Sequence, residues 1–459
     1  MNKVCVAKFG GTSVANYPAM CNCAKIVTNN PHTKLVVLSA SAGVTNLLVE
    51  LSSGNLDAQG IEDRMLKLSQ IEFSILNDLG SPKEITSEIE KLLHEIKDLA
   101  NHAIIEHDDA LTDRIVSYGE IMSTKLFTEV LKSLGFKAKW FDVRTVMRTD
   151  NRFGKAAPII EVLSNSAKEK LVPLFDGETI IVTQGFIGSN AIGQTTTLGR
   201  GGSDYSAALL GEAIPQCSAI EIWTDVPGIY TTDPRMVKEA AVIPEITFSE
   251  AAEMATFGAK VLHPATIFPA VRRNIPVFVG SSKNPELGGT WVRSETESKP
   301  TFRAVALRRN QKLLTLQSPN MIGACGFLAN IFSIFAKYGI SVDLITTSEV
   351  SVALTIDNTG SQSNGQSVIS EQLINELKSF CKVRVDDNLS LVALIGNGMS
   401  QVSGTGAAVF ASICDVNIRM ICYGASSHNL CFLVNSDQAE HAVTELHHKL
   451  LEGNPQVIK

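Results

Sequence analysis

Ten residues near the start, Val4-Cys-Val-Ala-Lys8-Phe-Gly10-Gly11-Thr-Ser13, constrain this chain more than any other stretch. An apolar, β-branched run that ends in a lysine and breaks into two glycines and two hydroxyl residues is the pattern of a buried strand turning tightly into a helix. Glycines without a Cβ let backbone N–H groups approach an anion, the helix after them adds the positive end of its dipole, and the lysine adds a full charge. The order differs from the P-loop G-x-x-x-x-G-K-[ST], because here the lysine precedes the glycines. Strand-Gly-Gly turns are also common as plain turns, so this loop acquires a meaning only from what the rest of the chain brings to it.

The next stretch of chain repeats the rhythm. Ala15 to Val27 reads as a helix, and Lys34-Leu-Val-Val-Leu-Ser39 as a second buried strand running into Ala40-Ser-Ala-Gly43-Val-Thr45-Asn46. Strand, small-residue loop and helix in succession build a parallel sheet that holds its ligands at the carboxyl ends of its strands, so both loops are expected on one edge. From about Glu62 to Ala110 apolar residues recur at three and four, which predicts packed helices. Glu120 then stands beside Gly119 within an apolar helix. An unpaired buried charge costs several kcal/mol, so Glu120 either stays partly exposed or takes a partner such as a substrate ammonium.

Strands are expected again over Lys137 to Val143 and Thr179 to Gly188. Gln194-Thr-Thr-Thr-Leu-Gly-Arg200-Gly-Gly-Ser203-Asp204 then leads into an apolar helix. Its backbone donors and guanidinium fork suit a carboxylate or a phosphate, and Asp204 also fits an ordinary first helical turn. Ile220 to Arg235 reads as a strand entering a turn-rich loop, whose Tyr230, aspartates and backbone suit an adenine and ribose, with Arg235 near phosphates. Lys260 comes just after the one glycine of the helix that starts at Phe248; its ordinary fate is a solvated surface. Ile275 to Gly280 is a last strand, and the Ser, Glu, Thr and Pro of residues 294–301 mark a linker.

At 459 residues the chain has room for about three domains. A net charge of −7 argues against nucleic acid or an anionic membrane as partner. The nine cysteines are scattered without a C-x-x-C pair, so neither zinc nor a disulfide framework is expected, and a reduced cytoplasm fits. Neither a signal-peptide pattern nor an apolar run of the roughly 18 residues that span a bilayer is found.

Beyond the linker lies a repeat. Gly326 to Leu354 and Gly404 to Phe432 align without a gap at a spacing of 78, pairing Ile331 with Val409, Phe332 with Phe410, Ile340 with Ile418 and Leu354 with Phe432. Each copy predicts a small α+β unit of ferredoxin-like type, of a kind that pairs across a dimer. No nucleophile–base pair or metal-ligand cluster is apparent there; His428, His447 and His448 read as surface or satisfied side chains.

Together, Lys8-Phe-Gly-Gly-Thr-Ser13, Leu38-Ser-Ala-Ser-Ala-Gly-Val-Thr45-Asn46, Thr197-Leu-Gly-Arg200-Gly-Gly-Ser-Asp204, Trp223-Thr-Asp-Val-Pro-Gly-Ile-Tyr230-Thr-Thr-Asp-Pro-Arg235, Phe257-Gly-Ala-Lys260-Val-Leu-His-Pro264 and Ser341-Val-Asp-Leu-Ile-Thr-Thr-Ser-Glu349 give the chain a close likeness. It resembles the monofunctional, lysine-sensitive aspartate kinases of the amino-acid kinase family over nearly its whole length. The resemblance implies an α/β catalytic domain, a mainly parallel sheet sandwiched by helices, over residues 1–293. A linker at 294–310 comes next, then two ferredoxin-like ACT units at 311–388 and 389–459, with strands exchanged between the units as an option.

The implied reaction is transfer of the γ-phosphoryl group of ATP to the side-chain carboxylate of L-aspartate, giving the 4-phospho-L-aspartate that opens lysine, threonine and methionine biosynthesis. Such chemistry asks for positioning and charge cancellation, and an acceptor carboxylate is already ionised, so no general base is needed. Carried over by motif, Lys8 with the Gly10 and Gly11 amides stabilises the transferring group, and Asp204 orients Lys8 or the metal shell. Arg200 clamps the aspartate α-carboxylate, Glu120 takes the ammonium, and Thr45 and Ser203 complete that pocket. Lys8, Thr224, Asp225, Tyr230, Arg235 and Lys260 hold ATP, with Mg2+ arriving on the nucleotide. L-lysine is expected as effector on Met321, Phe327, Leu328, Ser341, Val342, Asp343, Thr347, Ser348 and Glu349, within a homodimer formed through the ACT units, a tetramer being a further option. Ala324 stands where a relative has serine, which leaves the feedback open. The alternatives are a kinase for glutamate or acetylglutamate, and a non-catalytic amino-acid sensor.

Overall fold

A computed structural model of the chain describes residues 3–199, 201–258, 262, 264–323, 325–357 and 369–452. It divides into two compact units: Met1–Ile229, Pro244–Phe248 and Val261–Thr296 form the first, and Tyr230–Ile243, Ser249–Lys260 and Glu297–Lys459 the second. Up to residue 293 the chain runs β1 (Val4–Phe9), α1 (Tyr17–Asn29), β2 (Thr33–Leu38), α2 (Val44–Ser52), α3 (Ala58–Asp78), α4 (Lys83–Ile105), α5 (Asp109–Ser133), β3 (Ala138–Phe141), α6 (Ile160–Lys170), β4 (Ile180–Gln184), β5 (Ile187–Ser189), β6 (Thr195–Thr197), α7 (Gly202–Ala213), β7 (Cys217–Thr224), β8 (Glu245–Thr247), α8 (Phe248–Thr256), α9 (Pro264–Arg272), β9 (Val277–Ser281) and β10 (Gly289–Arg293).

The first unit is built on an eight-stranded sheet of order β3-β4-β2-β1-β7-β9-β10-β8. β1 is buried at every position and lies parallel to both β2 and β7. Among its described pairs only β9–β10 is antiparallel. Because the chain adds β2, β4 and β3 on one side of β1 and the later strands on the other, the strand order switches at β1, and in open α/β sheets the carboxyl end at such a switch is where ligands bind. Alternation along β1 assigns its faces. Ala7 and Phe9 join Leu38, Trp223 and helices α1 to α5 in one apolar core, where each fully buried large side chain contributes about 1.5–3 kcal/mol. Lys8 points to the other face, toward α7. The first helix begins two residues later than Ala15 because Asn16 caps it, accepting from Ala19 N–H, with Pro18 in the first turn.

In the second unit β11 (Ala304–Gln317), α10 (Phe327–Lys337), β12 (Ile345–Thr347), β13 (Ser351–Asp357), α11 (Glu371–Lys378), β14 (Lys382–Ile395), α12 (Thr405–Ser412), β15 (Ile418–Tyr423), β16 (Asn429–Asn435) and α13 (Ala439–Leu450) form an antiparallel sheet of order β12-β13-β11-β14-β16-β15 with its helices. The 78-residue spacing holds for the strands: β11 and β14 are 14 residues each and start 78 apart, as do β13 and β16. β11 and β14 lie side by side, Ala304 opposite Ile395 and Gln317 opposite Lys382, so an internal twofold relates them. Their outer halves serve different cores, one with α10 and α11 and one with α12 and α13. Residues 304–310, expected as linker, are strand because the carboxyl half of β14 supplies their hydrogen-bond partners.

The segment 230–243, which precedes the linker in sequence, is tied into this unit. The Thr231 carbonyl accepts from Val305 N–H at 2.7 Å, and its hydroxyl meets His447 Nε2 at 2.9 Å. Among the described residues no helix is long and apolar enough to cross a membrane.

Candidate active site

At the carboxyl end of β1 the buried Lys8 places its Nζ 2.6 Å from Asp204 Oδ1, in the first turn of α7. A Cβ at position 10 would stand 3.7 Å from that Nζ, so the amine lies over the glycine loop. Position 11 admits no side chain: its Cβ would come within 2.7 Å of the Ala40 carbonyl, and Gly11 O accepts from Ala42 N–H at 3.1 Å. The loops after β1 and β2 therefore touch. Gly10 N–H reaches the Trp223 carbonyl at 3.3 Å, which adds the end of β7. Gly185 N–H donates to Leu38 O at 2.8 Å, and a Cβ there would stand 2.6 Å from that of Ser203, which adds the end of β4 and the start of α7. Four strand ends and the first turns of α2 and α7 thus share one edge, an arrangement suited to anions.

Helix α5 carries a polar stripe into this edge. Glu120 is buried; its Oε1 accepts from Ala40 N–H at 3.2 Å, and its Oε2 has no hydrogen-bond partner among the described residues. Burial pushes the Glu120 carboxyl up to about 8, against the pull of the Ala40 N–H and the Lys8 charge. The Ser41 hydroxyl is likewise buried without a partner among the described residues. Ser123 Oγ donates to Ser39 O at 2.8 Å, so the loop that leads to Thr45 is held to α5 at two points. Two turns before Glu120, the buried Asp113 accepts from Gly154 N–H, Thr197 N–H and Thr197 Oγ1 within 3.0 Å. No motif in the sequence points to Asp113.

Lys8, Gly10, Gly11, Glu120, Ser203, Asp204 and the helix start bearing Thr45 are therefore brought to one place. Arg200 lies outside the described residues, as do Lys260 and Ala324. Thr224 ends β7 at the same edge; its hydroxyl donates to Asp225 Oδ1 at 3.2 Å, and its carbonyl accepts from Ser282 N–H at 2.8 Å. Tyr230 and Arg235 belong to the second unit. There Arg235 is exposed and forms a 2.6 Å pair with Asp233, which it holds below the usual carboxylate range.

Of the effector candidates, Met321, Phe327 and Val342 pack against the core under α10. Asp343 pairs with Arg308 at 3.2 Å, and Ser348 Oγ lies 2.7 Å from Ser351 Oγ. Leu328, Ser341, Thr347 and Glu349 face solvent. His447 is buried and satisfied by Thr231, in keeping with its reading from the sequence. The fold also brings Glu239, His448 and Glu452 within 4.8 Å of one another at the surface, a grouping too dispersed along the chain to be seen in the sequence.

Residues 3–281 match the amino acid kinase family, and residues 314–363 and 392–450 the ACT domain. The chain is 57% identical over 452 residues to the lysine-sensitive aspartokinase 3 of Escherichia coli, covering 98% of this chain and 100% of that one. It is 37% identical over 464 residues to the chloroplastic aspartokinase 3 of Arabidopsis thaliana, covering 98% and 82%. The structure of E. coli aspartokinase III with aspartate and ADP, an R-state, superposes with a TM-score of 0.86 at 57% identity, covering 98% and 100%. The T-state of that enzyme with lysine and aspartate gives 0.84 at 56% identity, with the same coverage. A sheet edge assembled from these loops, followed by a duplicated ACT sheet and matched along its length by these proteins, makes this chain a member of the amino acid kinase family, within its aspartokinase branch.

Proposed function

We propose that this chain transfers the γ-phosphoryl group of ATP to the side-chain carboxylate of L-aspartate, as the first step toward lysine, threonine and methionine, and that L-lysine restrains it through the second unit. The observation that carries the reading is the juxtaposition at the end of β1: a charged amine held over a glycine loop by Asp204, close enough to feel the carboxyl of Glu120, whose second oxygen has no partner among the described residues. Lys8 and the Gly11 amide meet the negative charge that spreads over the transferred group, the Gly10 N–H being taken by the Trp223 carbonyl. Asp204 keeps the amine in place until phosphate takes over as its partner. The open oxygen of Glu120 receives the substrate ammonium, with Thr45 and Ser203 beside it. Arg200 is assigned to the α-carboxylate by its motif, and Thr224 and Asp225 to the nucleotide.

This edge suits a magnesium ion that travels with the nucleotide rather than one held by protein carboxylates. Asp204 is engaged by Lys8 and Glu120 stays neutral until an ammonium pairs with it, which leaves phosphate and water as the main ligands. When bound, the ion neutralises phosphate charge. Exposed Ile322, Leu328 and Phe332 offer the second unit an apolar face for pairing with another copy, and nine free cysteines suit a reduced cytoplasm.

A hydroxamate assay with ATP, Mg2+ and L-aspartate tests this directly. Product is expected with aspartate and should fall when lysine is added. Product with glutamate instead would assign another acceptor, and no product with any amino acid would leave only a sensor.

A further inference from the structure

We infer that Asp113 is a positioning residue for the acceptor pocket, acting through the strand and turn that deliver Ser203 and Asp204. Asp113 and Glu120 are seven residues apart on α5, two turns on one face, about 10 Å along the axis. Glu120 grips the β2–α2 loop through Ala40 N–H. Asp113 grips the opposite side, Thr197 at the end of β6 and Gly154.

These two partners are themselves joined, since Ala156 N–H donates to Thr197 O at 2.8 Å, and a Cβ on Gly199 would stand 3.2 Å from Gly154 O. The turn then closes with Gly202 N–H on Gly199 O at 3.0 Å, and the next two residues are Ser203 and Asp204. One face of one helix thereby sets the separation between the two loops that flank Lys8.

The chemistry of Asp113 fits this task. It is 2% exposed and receives three donors, two backbone N–H groups and a hydroxyl, with no ion pair to any described cation. A carboxylate that accepts on both oxygens fixes direction as well as distance. An amide in its place keeps the shape but turns one acceptor into a donor facing N–H groups.

The proposal rests on the reading of this edge as an aspartate site, so wild-type turnover of aspartate is the control for that reading. With the full-length protein, Asp113→Asn is expected to raise the aspartate KM about tenfold while the ATP KM stays within twofold and the thermal midpoint within a few degrees. Thr197→Val, which removes only the hydroxyl donor, should move the aspartate KM the same way by less. If Asp113→Asn will not fold, Thr197→Val alone decides. Unchanged aspartate KM values, or loss of active enzyme with both KM values intact, would overturn the inference even with wild-type activity confirmed.

Discussion

Lys8 sits in the middle of a parallel sheet between Val37 and Ile222, where a lysine without a partner would carry a heavy desolvation cost. Asp204 supplies that partner from 196 residues away, a pairing that no local spacing reveals. Glu120 has a different problem, because its burial is only partly compensated and its carboxyl is pushed up to about 8. The form that binds an ammonium is the carboxylate, and below pH 8 the empty pocket holds mostly the neutral acid. Aspartate affinity is therefore scaled by the ionised fraction, which grows up to about tenfold per pH unit until the carboxyl has titrated. The aspartate KM should fall as pH rises from 6 to 8 and level off above that, and Glu120→Gln should bind weakly with no such slope. Initial rates at four pH values with saturating ATP check this; a flat wild-type profile would remove Glu120 from the ammonium site. Glu120 was singled out in the sequence as a carboxylate beside Gly119 in an apolar helix, either partly exposed or partnered, and the fold buries it. Asp113 was not, because Asp113-Arg114 near the start of a helix looks like an ordinary solvated pair.

At the scale of elements, the carboxyl-edge loops were readable since each comes after a short apolar strand and is marked by small residues. The 78-residue repeat was readable too, from matched apolar positions. The continuity of β11 and β14 was not. Arg308-Arg309-Asn310-Gln311-Lys312 and its counterpart Asp386-Asp387-Asn388-Leu389-Ser390 look like polar linkers, yet they are the middles of two long strands crossing at the internal twofold. The reason lies in Asn310 and Asn388, matched by the repeat, with φ of 60° and 59°. A single left-handed residue in each strand re-aims it between two cores, and asparagine is among the few non-glycine residues that accept that conformation. A β-branched residue there costs about 1–2 kcal/mol more. Asn388→Gly should leave urea stability of the second unit nearly unchanged, whereas Asn388→Val should lower it by about 1–2 kcal/mol. Equal effects of the two would mean the backbone does not need the left-handed position.

For the molecule as a whole, the question is how lysine can act on a pocket in the first unit if it binds the second. Coupling of this kind is a free energy shared by two sites, so it must be reciprocal. Lysine that weakens the binding of ADP and aspartate by some factor must itself be weakened by ADP and aspartate by the same factor, and typical couplings correspond to about 5- to 150-fold. Direct competition behaves differently, because an aspartate that occupies the lysine site raises the apparent lysine Kd without limit. Titrating lysine by calorimetry at increasing fixed concentrations of ADP and aspartate should thus show a Kd that climbs and then reaches a plateau. Asp343→Ala should abolish lysine binding with basal turnover intact, since Asp343 lies among the effector candidates and pairs with Arg308. A lysine Kd that keeps rising in proportion to aspartate would place the inhibitor in the acceptor pocket beside Glu120 and leave the duplicated sheet without an effector.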